Sequence, residues 1–245
     1  MINKKIAVVT GPCGGIGTAI TAQLINDGLH VVGLDIKQSA LDEMSAKYGA
    51  DFTAITIDLT DAAAIAQAFK EIASTLGGVD ALVNNVGNCF MSEFPNIPAQ
   101  EFELQMSVNF SSAFFCSQEA VKLMLTRPGI KKIVNISSNG AYNFDVFDPP
   151  HYRASKAAID TLTKDLARRY AIEGISVNSI APAMTESPLF NVLTKEILDK
   201  ALAQMPRGRA MKPSEIAAWV GFLISPAGDV SSGNVIILNQ GRDVR

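Results

Sequence analysis

The sequence predicts a single α/β domain, a doubly wound parallel sheet with helices on both faces, and three observations carry that expectation. Short β-branched runs recur along the chain, helical periodicity fills the stretches between them, and glycine-rich or polar turns stand where the runs end. The runs fall at residues 6–10, 30–35, 52–58, 79–84, 132–137 and 175–180. Between them, residues 16–27, 62–76, 102–125 and 154–172 place apolar side chains three and four apart, as helices that cover a sheet must. A last strand at 234–238 follows a helix at 214–224, which begins after Pro213 and ends before Pro226. Strands separated by helices pair in parallel through crossovers, so both sheet faces are buried. The stretch from Pro182 to Pro213 breaks the rhythm: Pro182, Pro188, Pro206 and Gly208 punctuate two short amphipathic pieces that no strand follows. It reads as a lid, at about 183–211, over a site.

With 245 residues, 48% of them hydrophobic, the chain can bury a core of the size one large α/β domain needs. A formal net charge of −3 supplies no basic field along which a duplex could lie, so nucleic-acid binding is excluded and a small-molecule substrate is expected. No stretch approaches the roughly 20 apolar residues of a membrane span. The first apolar run is cut at Gly11-Pro12, too early for an export signal. Cys13, Cys89 and Cys116 share no short spacing, which argues against a zinc site or disulfides and fits a reducing, cytoplasmic location with no metal.

The turn Thr10-Gly11-Pro12-Cys13-Gly14-Gly15-Ile16-Gly17 joins the first strand to the first helix. Glycines there permit a tight turn and close backbone approach, and a helix N-terminus favours an anion, so a pyrophosphate fits. Thr10, Gly11, Gly15, Ile16 and Gly17 are its expected contacts. Asp35 closes the second strand 18 residues after Gly17, where a carboxylate can accept both hydroxyls of an adenosine ribose. A 2′-phosphate would meet it as a like charge, so NAD is expected over NADP; Lys37, two positions on, limits that preference to about 1–3 kcal/mol. Asp58-Leu59 and Asn84-Asn85-Val86-Gly87 close the third and fourth strands at the same edge, and Asp58, Leu59, Asn85 and Gly87 are expected at the adenine and ribose.

Tyr152 and Lys156 stand four apart, on one face of a helix. A phenol is a poor base at neutral pH, but an adjacent ammonium and the positive nicotinamide of NAD+ both favour its phenolate, so Tyr152 can exchange an alcohol's proton. Ile136-Ser137-Ser138 ends the fifth strand at the same edge; Ser138, in preference to Ser137, is expected to hold the substrate oxygen.

With these motifs in one order, the chain resembles the short-chain dehydrogenase/reductase family from Lys5 to the last strand. The likeness rests on the Thr10-to-Gly17 turn, Asn84-Asn85-Val86-Gly87, Asn109 within Ser107-Val108-Asn109-Phe110, Ser138, and Tyr152 with Lys156. It implies a Rossmann-type sheet of seven parallel strands, an alcohol dehydrogenase or ketone reductase, and a homo-oligomer, often a tetramer, built partly from the helices carrying Asn109 and Tyr152. It implies that Asn109 helps hold a proton-relay water, Ser138 orients substrate, Tyr152 is the acid/base, and Lys156 binds the nicotinamide ribose and tunes Tyr152, both residues touching the cofactor. It also brings Pro182, Thr185 and Ser187 to the cofactor.

Some positions depart from that pattern. Pro182-Ala183 stands for the usual Pro-Gly, and alanine is costly if the backbone there needs positive φ, which predicts an altered lid path. His151 beside the tyrosine points about 100° away on a helix and is read as structural or substrate-lining. Asp145 and Asp148 are read as a solvated loop in preference to a subsite for hydroxyls or a cation. Two other readings of the same scaffold are an epimerase or dehydratase that uses NAD transiently, and a non-catalytic NAD sensor.

Overall fold

The computed structural model describes residues 4–129, 131–142, 148–187, 190 and 193–243. Its seven strands are β1 (Ile6–Thr10), β2 (His30–Asp35), β3 (Phe52–Thr56), β4 (Ala81–Asn84), β5 (Lys131–Ile136), β6 (Ile175–Pro182) and β7 (Val235–Leu238). They form one sheet in the order β3-β2-β1-β4-β5-β6-β7, every neighbouring pair parallel. The expected seven-stranded, doubly wound architecture is the one observed.

Alternation along the strands divides the core in two. Ala7 and Val9 of β1 face one side of the sheet with Ile20 and Leu24 of α1 (Gly15–Asn26), Leu41 and Met44 of α2 (Gln38–Tyr48), and Ile216 and Val220 of α8 (Pro213–Ile224). Ile6 and Val8 face the other with Ile65 and Phe69 of α3 (Ala62–Leu76) and Cys116, Ala120 and Met124 of α5 (Ser112–Met124). With both faces covered, β1 is apolar from Ile6 to Val9, whereas the equally buried β5 and β6 carry polar residues such as Asn135 and Asn178 that are hydrogen-bonded inside.

The elements differ from expectation most at the following places. Helix α2 escapes a periodicity search because it buries only two side chains, Leu41 and Met44. Residues 102–125 are not one regular helix: α4 (Ala99–Met106) passes through a π-helical stretch, Ser107–Ser111, into α5. The extra residue in a π turn rotates the faces on either side without ending the helix, so periodicity alone reads straight through it. Strand β3 ends at Thr56, leaving Asp58 in the following turn, and β6 runs on to Pro182. Ala183 continues that path by donating its amide to Leu238 O at 2.8 Å. It does not occupy the left-handed region; among the described residues Gln240, at φ 60°, is the non-glycine that does.

The predicted lid contains α7 (Lys195–Ala203) and is tied down where Thr185 pairs with Met211. Pro188 and Asp145 lie outside the described residues. Among the described residues, no helix is long and apolar enough to cross a membrane. Strand order reverses between β1 and β4, so a crevice opens beyond their carboxyl ends, and the site lies there.

Candidate active site

The glycine turn is fixed by close contacts. Gly11 takes φ 64° and donates its amide to Leu34 O at 2.8 Å. A Cβ added to Gly17 would collide with Gly11 O and come within 2.8 Å of Asn85 Nδ2, so only hydrogen fits. At Gly14, by contrast, an added Cβ meets nothing within 4 Å, and the residue borders open cavity where α1 begins. Thr10 and Asn85 staple the turn to the end of β4. Asn85 Nδ2 donates to Thr10 O and Gly11 O at 3.1 and 2.9 Å, while Thr10 Oγ1 accepts the amides of Asn85 and Val86 at 2.9 and 3.0 Å.

Asp35, at the end of β2, accepts the amide of Cys13 on Oδ2 at 3.4 Å and that of Lys37 on Oδ1 at 3.1 Å. Its carboxylate is thereby aimed along the turn, and the exposed Lys37 stands beside it on the cavity wall. Asp58 is exposed and its Oδ1 accepts the amide and hydroxyl of Thr60 at 2.9 and 2.8 Å, a local turn that holds the carboxylate to its own backbone. Leu59 is buried. Neither residue lines the cavity, whereas Gly11, Gly15, Ile16, Gly17, Asp35, Asn85, Gly87, Pro182, Thr185 and Ser187 do.

That cavity has a volume of about 540 Å³ and runs from the glycine turn to Ser138, Tyr152 and Lys156. Tyr152 lies in the first turn of α6 (Pro150–Tyr170), which starts on Pro150 with its φ already helical. Its phenol hydrogen-bonds Ser138 at the end of β5. Burial pushes that phenol well above its ordinary pKa, with Cys89 and Asp148 adding to the rise and the Ser138 hydrogen bond opposing it. Lys156, one turn along, is buried and donates to Ile136 O at 2.9 Å. Burial pulls its ammonium down to about 8, against the raising effect of Asp160.

Asn109 sits in the π-helical stretch, fully buried. Its Oδ1 accepts the Asn88 amide at 2.8 Å, and its Nδ2 donates to Asn88 O at 2.9 Å and to Ser155 Oγ at 3.0 Å. It does not line the cavity; it clamps the chain leaving β4. The position of a Cβ on Gly87 would be 3.1 Å from Lys156 Nζ and 3.6 Å from Asn109 Oδ1, so both side chains converge on that glycine.

Several residues of the site carry no sequence signature. Gln105, one turn before Asn109, shares the clamp: Nε2 donates to Asn88 O at 2.7 Å and Oε1 accepts the Phe90 amide at 3.1 Å. Asp160, four residues after Lys156, accepts Ser137 Oγ, Tyr142 OH and Ser179 Oγ at 2.9, 2.7 and 2.7 Å. Those bonds occupy Ser137 and leave Ser138 as the serine that meets Tyr152. The i,i+4 relation of Lys156 and Asp160 is the one hint a sequence offers. Asn139 Nδ2 donates to Asp243 Oδ2 at 2.9 Å, so the C-terminal segment returns to the site and Arg242 joins the cavity wall. His151 turns away, its Nε2 3.2 Å from Glu101 Oε1 on α4. Asp148 is not the solvated loop carboxylate expected: it is half-buried and lines the cavity.

Comparison with known proteins agrees with this geometry. A family model described as Enoyl-(Acyl carrier protein) reductase matches residues 11–243. The 3-oxoacyl-[acyl-carrier-protein] reductase FabG of Aquifex aeolicus is 32% identical over 244 residues, covering 98% of each chain. A 3alpha-hydroxysteroid dehydrogenase of Mediterraneibacter gnavus is 31% identical over 244 residues, covering 96% of each. Among solved structures, the Pseudomonas aeruginosa RhlG/NADP active-site complex superposes with a TM-score of 0.91 at 28% identity, over 97% of this chain and 96% of that one. With the sheet order, the glycine turn and this coverage together, the chain belongs to the short-chain dehydrogenase/reductase family and is an oxidoreductase that uses a nicotinamide dinucleotide.

Proposed function

We propose that the protein interconverts a secondary alcohol and a ketone with NAD as its cofactor, Tyr152 serving as acid/base. The observation that carries this reading is the Tyr152 phenol, hydrogen-bonded to Ser138 and one helical turn from Lys156, in the same cavity as the glycine turn and Asp35. The turn suits a dinucleotide: Gly14 borders open space at a helix N-terminus, and Gly11 and Gly17 allow the backbone to close around it. When bound, the cofactor gives or takes the hydride.

The chain's own residues do the rest. Ser138 Oγ holds the substrate oxygen, and Tyr152 donates its proton to that oxygen in reduction or removes it in oxidation. Lys156 supplies the neighbouring cation that favours the phenolate and donates to the ribose hydroxyls. Asn109 orders the Asn88 backbone beside them. Thr10 and Asn85 support the turn, with Gly11, Gly15, Ile16, Gly17 and Gly87 against the dinucleotide and Pro182, Thr185 and Ser187 closing over it. Residues 183–211 act as the lid, for Met184, Phe190 and Leu193 line the cavity from that segment. The reading places one catalytic domain in the cytoplasm, as a homo-oligomer. The half-exposed Phe102, Phe114 and Leu125 on α4 and at α5 support the last point.

Asp35 supports NAD over NADP, because its carboxylate is held at the ribose end by two backbone amides and would repel a 2′-phosphate. Asp35→Ala is therefore expected to raise kcat/KM with NADP relative to NAD by at least about tenfold, a relief of about 1.4 kcal/mol. An unchanged ratio in steady-state assays with both cofactors would remove Asp35 as the discriminator.

The acid/base assignment fixes the sign of the pH response. Oxidation needs the phenolate and should speed up as pH rises, while reduction needs the phenol and should slow. Lys156→Met removes the cation one helical turn from the phenol, so the rise in oxidation should move to higher pH. A variant that loses rate but keeps the wild-type profile would show that Lys156 does not tune Tyr152.

A further inference from the structure

Hydride transfer has no use for Asp148, yet the fold brings its carboxylate to the reacting corner of the cavity. The position that a Cβ on Gly140 would fill lies 3.2 Å from Ser138 Oγ and closer still to Asp148 Oδ2, so hydroxyl and carboxylate both flank that glycine. Ser138, Gly140, Asp148 and Tyr152 all line the cavity. Arg153 donates through Nε to Gly140 O at 3.0 Å and partly offsets the burial that raises the Asp148 carboxyl. Lys156 is directed to Ile136 O.

We propose that Asp148 is a specificity-determining residue that accepts a hydrogen bond from a hydroxyl or ammonium on the carbon next to the reacting one. The substrate class is then vicinal diols, hydroxyketones or vicinal amino alcohols, and this deepens the alcohol/ketone reading on which it rests. In oxidation the carbinol C–H bond breaks, its hydride passing to NAD+, the O–H proton passes to Tyr152, and the C=O bond forms. The neighbouring donor keeps its proton against Asp148 throughout. A substrate without that donor leaves a partly buried acceptor unpaired, and a carboxylate in the same place meets a like charge; polar sites built this way discriminate strongly.

The test compares kcat/KM with NAD+ for cis-cyclohexane-1,2-diol, trans-2-aminocyclohexanol, cyclohexanol and 3-hydroxybutyrate, in wild type, Asp148→Ala and Asp148→Asn. The readout is the ratio between substrates within each variant, which a general loss of folded enzyme does not alter. Wild type should prefer a vicinal substrate to cyclohexanol by at least about tenfold, and Asp148→Ala should bring that ratio to within about threefold. Asp148→Asn keeps an acceptor without charge, so it should retain the diol preference and lose that for the amine if the donor is an ammonium. A wild-type ratio that survives Asp148→Ala, or a preference for 3-hydroxybutyrate, overturns the proposal while the oxidoreductase reading stands. Failure to oxidise any vicinal substrate also overturns it; failure of all nicotinamide turnover, across ketones as well, takes the underlying reading with it.

Discussion

Replacing Tyr152 with phenylalanine is expected to lower turnover by at least about a hundredfold in both directions, the scale of a lost general acid/base. Cofactor affinity should stay within about threefold, a change below about 0.7 kcal/mol. The substitution removes one hydroxyl from the cavity wall and leaves the ring, Lys156 and the glycine turn in place. Ser138 loses its partner but keeps the Gly140 amide, which donates to its Oγ at 3.0 Å. Steady-state kinetics beside a fluorescence titration of NADH separates the two quantities. Turnover within about tenfold of wild type would mean that another group moves the proton.

Gly17→Ala should be damaging: among the described glycines compared, Gly17 should tolerate an added methyl least. Its Cβ would strike the Gly11 carbonyl, which is backbone, and crowd the Asn85 amide that holds the turn to β4. Neither neighbour can swing aside as the tip of a flexible side chain would. The helix must back away from the turn, at a cost of about 1–3 kcal/mol in overpacking, and the dinucleotide cradle opens with it. Gly14→Ala is the matched control, because that residue has φ −106° and ψ 150°, open to any side chain, and no neighbour within 4 Å of the new methyl. It should melt within a few degrees of wild type, yet weaken cofactor binding because the methyl enters the cavity. Equal melting temperatures for the two variants would contradict the close packing of Gly17 on Gly11.

The parts of this protein legible in its sequence are those governed by local periodicity and by short motifs. The β-branched and apolar runs of β1 and β2 announce themselves, and the turn between β1 and α1 follows from its glycines. Tyr152 and Lys156 are readable because a four-residue spacing is enough to put two side chains on one face. Ser138 required a choice between adjacent serines, and the structure separates them by the carboxylate of Asp160.

What escaped depends on contacts between distant residues. Asn139 and Asp243 are 104 positions apart, and no local pattern announces that the C-terminal segment closes one side of the cavity. The π-helical stretch around Asn109 follows from a register shift that a hydrophobic repeat cannot resolve. Helix α2 buries only Leu41 and Met44, so a search for apolar stripes passes over it. Strand β3 ends at Thr56, two residues before Asp58, whose carboxylate accepts the Thr60 amide in the turn that follows, a contact no periodicity shows. Asp148 reads as a surface acid within a stretch of mixed aromatics and acids, and only the return of the chain onto Gly140 carries it into the cavity.

The most direct test follows nicotinamide absorbance while purified protein meets a panel of secondary alcohols, diols, hydroxysteroids, hydroxy acids and their ketones, with NAD(H) and NADP(H) in parallel. Turnover should be faster with NAD(H) and should fall at least about a hundredfold in Tyr152→Phe, as the NAD-linked alcohol/ketone reading requires. Turnover confined to NADP(H), or turnover indifferent to Tyr152, would contradict it.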